Sequence, residues 1–177
     1  MRNDILKIKN VCREFNPTLA QETMFYYENF GKLNDNIYYY QKPEDNYLHL
    51  QGAQLCCVTR IMYQDNLVYL IVHDSNFEKL PDEVQTFFIL HELGHIANND
   101  FNNLSQEKII RDNIKRMFGY LPKHEIKADL FAVSVMGVTE VKEVIKFLLT
   151  KTDLALLNKF DFIKRYIRIK KNIPCTN

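Results

Sequence analysis

The stretch Phe87-Phe88-Ile89-Leu90-His91-Glu92-Leu93-Gly94-His95-Ile96 decides how the rest of the chain is interpreted, because it contains the pattern HExxH. On an α-helix, residues four apart lie one above the other, so the rings of His91 and His95 are expected to face the same point. Two converging imidazoles are half of a tetrahedral zinc site, and Glu92 is close enough to activate a water bound to the metal. The motif predicts the helix of a zinc peptidase, with Glu92 as general base.

A third ligand is expected downstream, because a catalytic zinc usually takes three protein ligands and one water. Glu125 and Asp129 are four residues apart and share one helix face, where the small Ala128 and Ala132 would let a second helix approach closely. We predict that Glu125 ligates the metal and that Asp129 hydrogen-bonds the outer nitrogen of a ligand histidine. His124 is the alternative third ligand.

Each of these residues carries little information by itself. HExxH occurs by chance in unrelated proteins, and a lone Glu or Asp is usually a solvated charge. The pattern becomes informative when HExxH, its apolar flanks and the later Glu125–Asp129 pair are taken together. His49 and His73 are interpreted as structural or surface residues, with His73 at best a donor to the transition state.

Upstream of the motif, the sequence predicts a sheet with strands near residues 37–40, 47–50, 53–63 and 67–72. The clearest strand is Leu67-Val68-Tyr69-Leu70-Ile71-Val72, an apolar run bounded by turn signals. An edge strand before an HExxH helix can hold an extended peptide by strand addition, so this run is the candidate substrate-binding edge.

The remaining segments are predicted to be helical. Short helices are expected over residues 1–15 and 19–31, and Pro81-Asp82-Glu83 opens the HExxH helix. Further helices are expected over about 100–121, from 123 onward, and over 139–150 and 153–171. The predicted fold class is α+β: one zincin-like domain over 1–177, with a helical part (1–36), a twisted sheet of about three to four strands (37–72) packed on the active-site helix (81–98), and a helical part carrying the third ligand (100–177).

Composition indicates an ordinary globular protein. Of 177 residues 46% are hydrophobic and 25% charged, and the formal net charge of +1 favours neither nucleic acid nor a membrane as partner. No apolar run reaches the ~18–20 residues that cross a bilayer, and the N-terminus lacks a secretion signal. Four scattered cysteines without a CxxC pair fit a reducing compartment, so we expect a soluble cytoplasmic protein. The basic final helix is interpreted as a solvated face, with nucleic-acid binding a remote alternative.

The apolar strand, the HExxH helix and the later segment Glu125-Ile126-Lys127-Ala128-Asp129-Leu130-Phe131-Ala132 together resemble the ImmA/IrrE family of zinc metallopeptidases over about residues 67–136. These are small gluzincins, in which the third ligand is a glutamate on a later helix. The resemblance implies that His91, His95 and Glu125 bind Zn²⁺ and that Glu92 is the base. It further implies regulated cleavage of a DNA-binding transcriptional repressor in a bacterium, phage or mobile element. Unlike many members, this chain has no evident N-terminal helix-turn-helix, which leaves the target open.

Two functions of different classes remain in view. The first is a zinc-dependent endopeptidase that hydrolyses an intracellular protein or peptide. The second is a zinc-containing regulatory or interaction module with little or no turnover. The intact Glu92 favours the peptidase, because a purely structural metal site has no need of a base.

Overall fold

The computed structural model describes residues 6–15, 18–27, 31–32, 37–41, 56–63, 66–73, 77–103, 105–117, 120–150 and 156–172. Its contacts group the chain into two compact units, Met1–Leu80 and Pro81–Asn177. Both lie inside the 1–177 span that the sequence treats as one domain.

The first unit contains all the strands of the described residues. They are β1 (Leu6–Phe15), β2 (Thr18–Tyr27), β3 (Gly31–Lys32), β4 (Ile37–Gln41), β5 (Cys56–Tyr63) and β6 (Asn66–His73), followed by a 3-10 turn at Phe77–Lys79. The strand order is β1-β2-β4-β6-β5, with β3 paired to β2. All described pairings are antiparallel except β4 with β6, which is parallel.

The helices predicted over residues 1–15 and 19–31 are wrong at the positions that the structure describes, where 6–15 and 18–27 form strands. β1 and β2 pair along their whole length, from Leu6 opposite Tyr27 to Phe15 opposite Thr18. Thr and aromatic residues, which favour a pleated surface, are frequent in β2. The strand predicted at residues 47–50 lies outside the described residues.

The prediction that Leu67–Val72 is an edge strand open to substrate is also wrong. β6 lies between β4 and β5, and from Tyr69 to His73 it has a paired neighbour on each side. Backbone groups that already pair with two strands cannot add a peptide as a third.

The described residues of the second unit form six helices: α1 (Asp82–Ala97), α2 (Asp100–Asn103), α3 (Gln106–Met117), α4 (Lys123–Met136), α5 (Val138–Thr150) and α6 (Leu156–Asn172). Helix α1 begins after Pro81, whose carbonyl accepts the backbone N–H groups of Val84 and Gln85. Helix α4 begins after Pro122 and ends at Gly137, which has φ +92°. The single helix predicted over 100–121 is two helices, because α2 ends at Asn103 and α3 starts at Gln106.

The predicted fold class, an α+β zincin-like domain with a sheet of three to four strands, is therefore wrong. The unit that carries HExxH is mainly helical and has no strand among its described residues between 81 and 172. The physical reason is that other helices bury the apolar surface of α1. The sequence assigned this role to a sheet, whereas α1 packs on α4 and α5.

The contact between α1 and α4 is unusually close because Gly94 has no side chain. A Cβ atom at Gly94 would lie 2.8 Å from Cα of Ala128 and 3.0 Å from its carbonyl oxygen. Ala128 and Ala132 are fully buried, as expected of small residues between two close helices. The predicted close approach at these alanines is confirmed, and it brings the N-terminal half of α4 against the HExxH turn of α1.

The core of the helical unit is apolar and comes from several helices. Its fully buried members include Phe87, Leu90 and Leu93 on α1 and Ile145 on α5. Within the described residues, no helix combines the length and the apolar character needed to cross a bilayer.

Candidate metal centre

The two histidines of the motif converge on α1. The Nε2 atoms of His91 and His95 lie 3.2 Å apart. Their rings are perpendicular, with centroids 4.8 Å apart. His91 is buried and His95 is half-buried. The spacing of four residues therefore points the two Nε2 atoms at one place, as the sequence predicts.

Glu125 on α4 completes the group. Its Oε2 lies 3.4 Å from Nε2 of His91, and its Oε1 lies 3.9 Å from Nε2 of His95. One ligand atom from each of the three residues lies within 4.8 Å of the others. His91, His95 and Glu125 therefore form a buried group that can hold a metal ion.

The outer nitrogens of both histidines are held by carboxylates. Nδ1 of His91 donates to Oδ1 of Asp129 at 2.8 Å, and Nδ1 of His95 donates to Oδ2 of Asp100 at 2.8 Å. A proton held on Nδ1 leaves the lone pair on Nε2, the form in which histidine binds a metal. Both rings are thus oriented for ligation, and the contact from Asp129 is the one that the sequence predicts.

Asp100 was missed at the sequence level. The predicted motif helix ends at residue 98, and no role was predicted for Asp100, which follows the pair Asn98-Asn99. Asn99 has φ +57°, a left-handed conformation that Asn tolerates, and the chain turns there so that Asp100 begins α2. This turn returns a carboxylate to His95, and the available signal was an acidic residue directly after the Asn pair.

Arg165 on α6 was also missed, because it lies in a basic stretch that was interpreted as a solvated face. The residue is only 7% exposed. Its Nη2 donates to Oε2 of Glu125 at 2.7 Å, and its Nη1 donates to Oδ1 of Asp129. Nothing in the local spacing indicates that a residue 40 positions after Glu125 would reach the same site.

The electrostatics of the site follow from these contacts. Burial and the charge of Arg165 lower the pKa of His91, but the Asp129 and Glu125 carboxylates outweigh them and raise that pKa to about 9. Burial alone would raise the pKa of Glu125. Hydrogen bonds from His124 and His91, with the charge of Arg165, instead hold it well below its usual range. Glu125 is therefore ionised, and a metal that binds here has to displace a proton from His91.

His124, the alternative third ligand, lies beside the group rather than in it. Its Nε2 is 3.5 Å from Oε1 of Glu125, and its Nδ1 is 3.8 Å from Oδ2 of Asp112. The converging ligand atoms found among the described residues do not include His124. Its position is that of a neighbour to the ligand carboxylate.

The other predicted residues are placed as follows. Glu92 follows His91 on α1 and is buried, with 8% of its surface exposed. His73 belongs to the first unit, where it is buried with its ring centroid 5.2 Å from that of Phe77. His49 lies outside the described residues.

The donor set fits zinc. Two imidazole nitrogens and one carboxylate are a common ligand set of catalytic zinc sites, which keep a fourth position for water. Both histidines also have the carboxylate partners that such sites usually show. No family model, curated protein or solved structure matches this chain. The resemblance to the ImmA/IrrE family stays a prediction that depends on the motif residues.

Proposed function

We propose that this protein is a zinc-dependent endopeptidase in which His91, His95 and Glu125 hold the metal and Glu92 is the general base. The observation that supports it most is that ligand atoms of these three residues converge. Each of the two histidines is also oriented by a carboxylate. By resemblance to the ImmA/IrrE family, the substrate is an intracellular protein, and a DNA-binding transcriptional repressor is the class to test first.

The chemistry divides between the metal and the chain. Zinc, when bound, lowers the pKa of a coordinated water and polarises the carbonyl of the substrate. Glu92 accepts the proton of the attacking water and then donates it to the leaving amine. Its place directly after His91, on the same buried helix, keeps the base next to a ligand. The carboxylates of Asp129 and Asp100 keep both imidazoles in the metal-binding tautomer.

The test compares the wild-type protein with Glu92→Gln. A matched control is Glu83→Gln, because Glu83 is an exposed acid in the first turn of the same helix. Zinc content is measured by elemental mass spectrometry, and cleavage of a peptide mixture is followed by mass spectrometry of the products. All three proteins should carry zinc. Glu92→Gln should lose cleavage by about 10²–10⁴-fold, the contribution typical of a general base, and the control should not.

Two results would count against the proposal. If Glu92→Gln cleaved at the wild-type rate, Glu92 would not be the general base. If the wild-type protein contained no zinc, the proposed metal centre would be wrong. A zinc-loaded wild-type protein that binds a partner but cleaves no peptide or protein would support the interaction module instead.

A further inference from the structure

Arg165 is a buried cation whose partners are the acids of the metal centre. A guanidinium taken out of water is costly unless carboxylates compensate it. In the helical unit this compensation comes from Glu125 and Asp129, which lie four residues apart on α4. The planar fork of arginine can bind two oxygens at once, and here the two oxygens belong to different residues.

The two oxygens of Glu125 have different surroundings. Oε2 accepts from Nη2 of Arg165 at 2.7 Å. Oε1 accepts from Nη1 of Arg116 at 3.5 Å and lies 3.5 Å from Nε2 of His124. Of the Glu125 contacts given above, the one between Oε2 and Arg165 is the shortest, so Arg165 fixes this carboxylate through Oε2.

Asp129 is fixed by the same guanidinium. Its Oδ1 accepts from Nη1 of Arg165 and also from Nδ1 of His91 at 2.8 Å. One side chain of α6 thus contacts both the carboxylate ligand and the carboxylate that orients a histidine ligand. Rotation of either acid would break a short charge-assisted hydrogen bond.

We propose that Arg165 is a positioning residue of the metal centre: through Oε2 it holds the Glu125 carboxylate where that residue could ligate a metal together with His91 and His95. This inference rests on the proposed metal centre. It adds α6 to the elements of the site, beside α1 and α4, which carry the ligands, and α2, which supplies Asp100. A purely stabilising ion pair would not affect how the metal is bound once the protein is folded, which separates the two roles.

The test measures metal binding rather than activity. Zn²⁺ affinity is determined by competition with a chromophoric chelator, the visible spectrum of the Co²⁺-loaded protein reports the coordination number, and far-ultraviolet circular dichroism checks folding. The variants are Arg165→Gln and Arg165→Lys. The control is Lys170→Gln, which removes one charge from an exposed position of the same helix.

Arg165→Gln should bind Zn²⁺ about 10–100-fold more weakly, the usual effect of removing a group that orients a ligand. Its Co²⁺ spectrum should differ from that of the wild type, because a carboxylate released from Arg165 no longer has the orientation in which it would meet the metal. Arg165→Lys should lose less affinity, since the ammonium keeps the charge but not the fork. Lys170→Gln should match the wild type in both measurements.

Wild-type affinity and an unchanged Co²⁺ spectrum in a folded Arg165→Gln protein would overturn the proposal. If that variant does not fold, Arg165→Lys decides in the same way, because wild-type affinity and spectrum there would also overturn it. A wild-type protein that binds neither metal overturns this inference and the proposed function together. If the wild type binds metal but cleaves nothing, only the proposed function fails, and the comparison of affinities still decides the role of Arg165.

Discussion

Gly94→Ala is the substitution that most directly tests how the two ligand-bearing helices are held together. Gly94 lies inside the HExxH motif, between the two histidines, and faces α4. An alanine in the middle of a helix normally stabilises it relative to glycine, by about 1 kcal/mol. Here the added methyl group would meet the backbone of Ala128, which cannot rotate away.

The size of the effect follows from the distances. The new Cβ would lie 2.8 Å from Cα of Ala128, whereas carbon atoms in contact are about 3.5–4.0 Å apart, so α1 and α4 would have to separate by about 0.7 Å. Overpacking of this kind costs about 1–3 kcal/mol, and the gain in helix propensity offsets about 1 kcal/mol of it. We expect a net loss of roughly 0–2 kcal/mol in the free energy of unfolding.

The effect on the metal should be larger than the effect on stability. Metal–ligand distances vary by only about 0.2 Å, so a helix shift of about 0.7 Å would take Glu125 out of reach of an ion held by His91 and His95. We expect Zn²⁺ affinity to fall by at least about tenfold, the lower end of what is lost when a ligand is no longer oriented. Chelator competition measures the affinity, and urea unfolding followed by circular dichroism measures the stability.

Gly137→Ala is the matched control. Gly137 ends α4 at φ +92°, a conformation that costs an alanine about 1–3 kcal/mol, and it carries no ligand. It should lower stability without changing Zn²⁺ affinity. If Gly94→Ala instead proved as stable as the wild type and bound Zn²⁺ equally well, the close helix contact would not set the geometry of the site.

Two further predictions concern the histidines. Asp100→Asn should weaken Zn²⁺ binding by about 10–100-fold, because Nδ1 of His95 loses its carboxylate partner; equal affinity in a chelator competition would show that the contact does not matter. Because the pKa of His91 is raised from 6.5 to about 9, its protonation contributes stability to the metal-free protein fully below pH 6.5, and this contribution is lost as the pH rises through about 9. Urea midpoints measured with chelator present should therefore fall between pH 6.5 and 9, and His91→Gln should show a smaller fall; a midpoint that rises over this range would contradict the assignment.

The ligand-bearing helices could be predicted because their signals are local. His91 and His95 are one helical turn apart, and so are Glu125 and Asp129, so each pair is placed by the pitch of its own helix. The close approach of a second helix to α4 was also predicted, since the small Ala128 and Ala132 leave room that larger residues would fill. Helix boundaries after Pro81 and Pro122 follow from the preference of proline for the start of a helix.

The N-terminal strands could not be recognised in the same way. In β1 the apolar residues Leu6, Ile8, Val11 and Phe15 fit helical spacing nearly as well as alternation, and such short patterns do not separate helix from strand. Pairing with β2 decides between them, and this is a contact between segments rather than a property of either one. The same holds for the buried partner of α1, which the sequence assigned to a sheet and the structure assigns to helices.

Asp100 and Arg165 could not be predicted from the sequence, for two different reasons. Arg165 is separated from Glu125 by 40 positions, and only the packing of α6 brings them together. Asp100 is near in sequence, but it reaches His95 through a left-handed residue, Asn99, whose conformation no hydrophobic pattern reveals. A charged residue in a polar stretch is usually solvated. Nothing in the sequence therefore distinguished Asp100 or Arg165 from the polar residues around it.

Because the chain turns at Asn99, the residues that form the site extend along the sequence beyond the pentapeptide HExxH. Asp100 reaches His95 because one left-handed residue, Asn99, turns the chain between α1 and α2. An insertion or deletion at this turn would move the carboxylate away from the ring. HExxH followed after four residues by Asp, and later by Glu and Asp four positions apart, is therefore a single spaced signature. A chain that carries all of these positions, together with the small residues that let α1 and α4 approach, would be expected to orient both imidazoles in the same way.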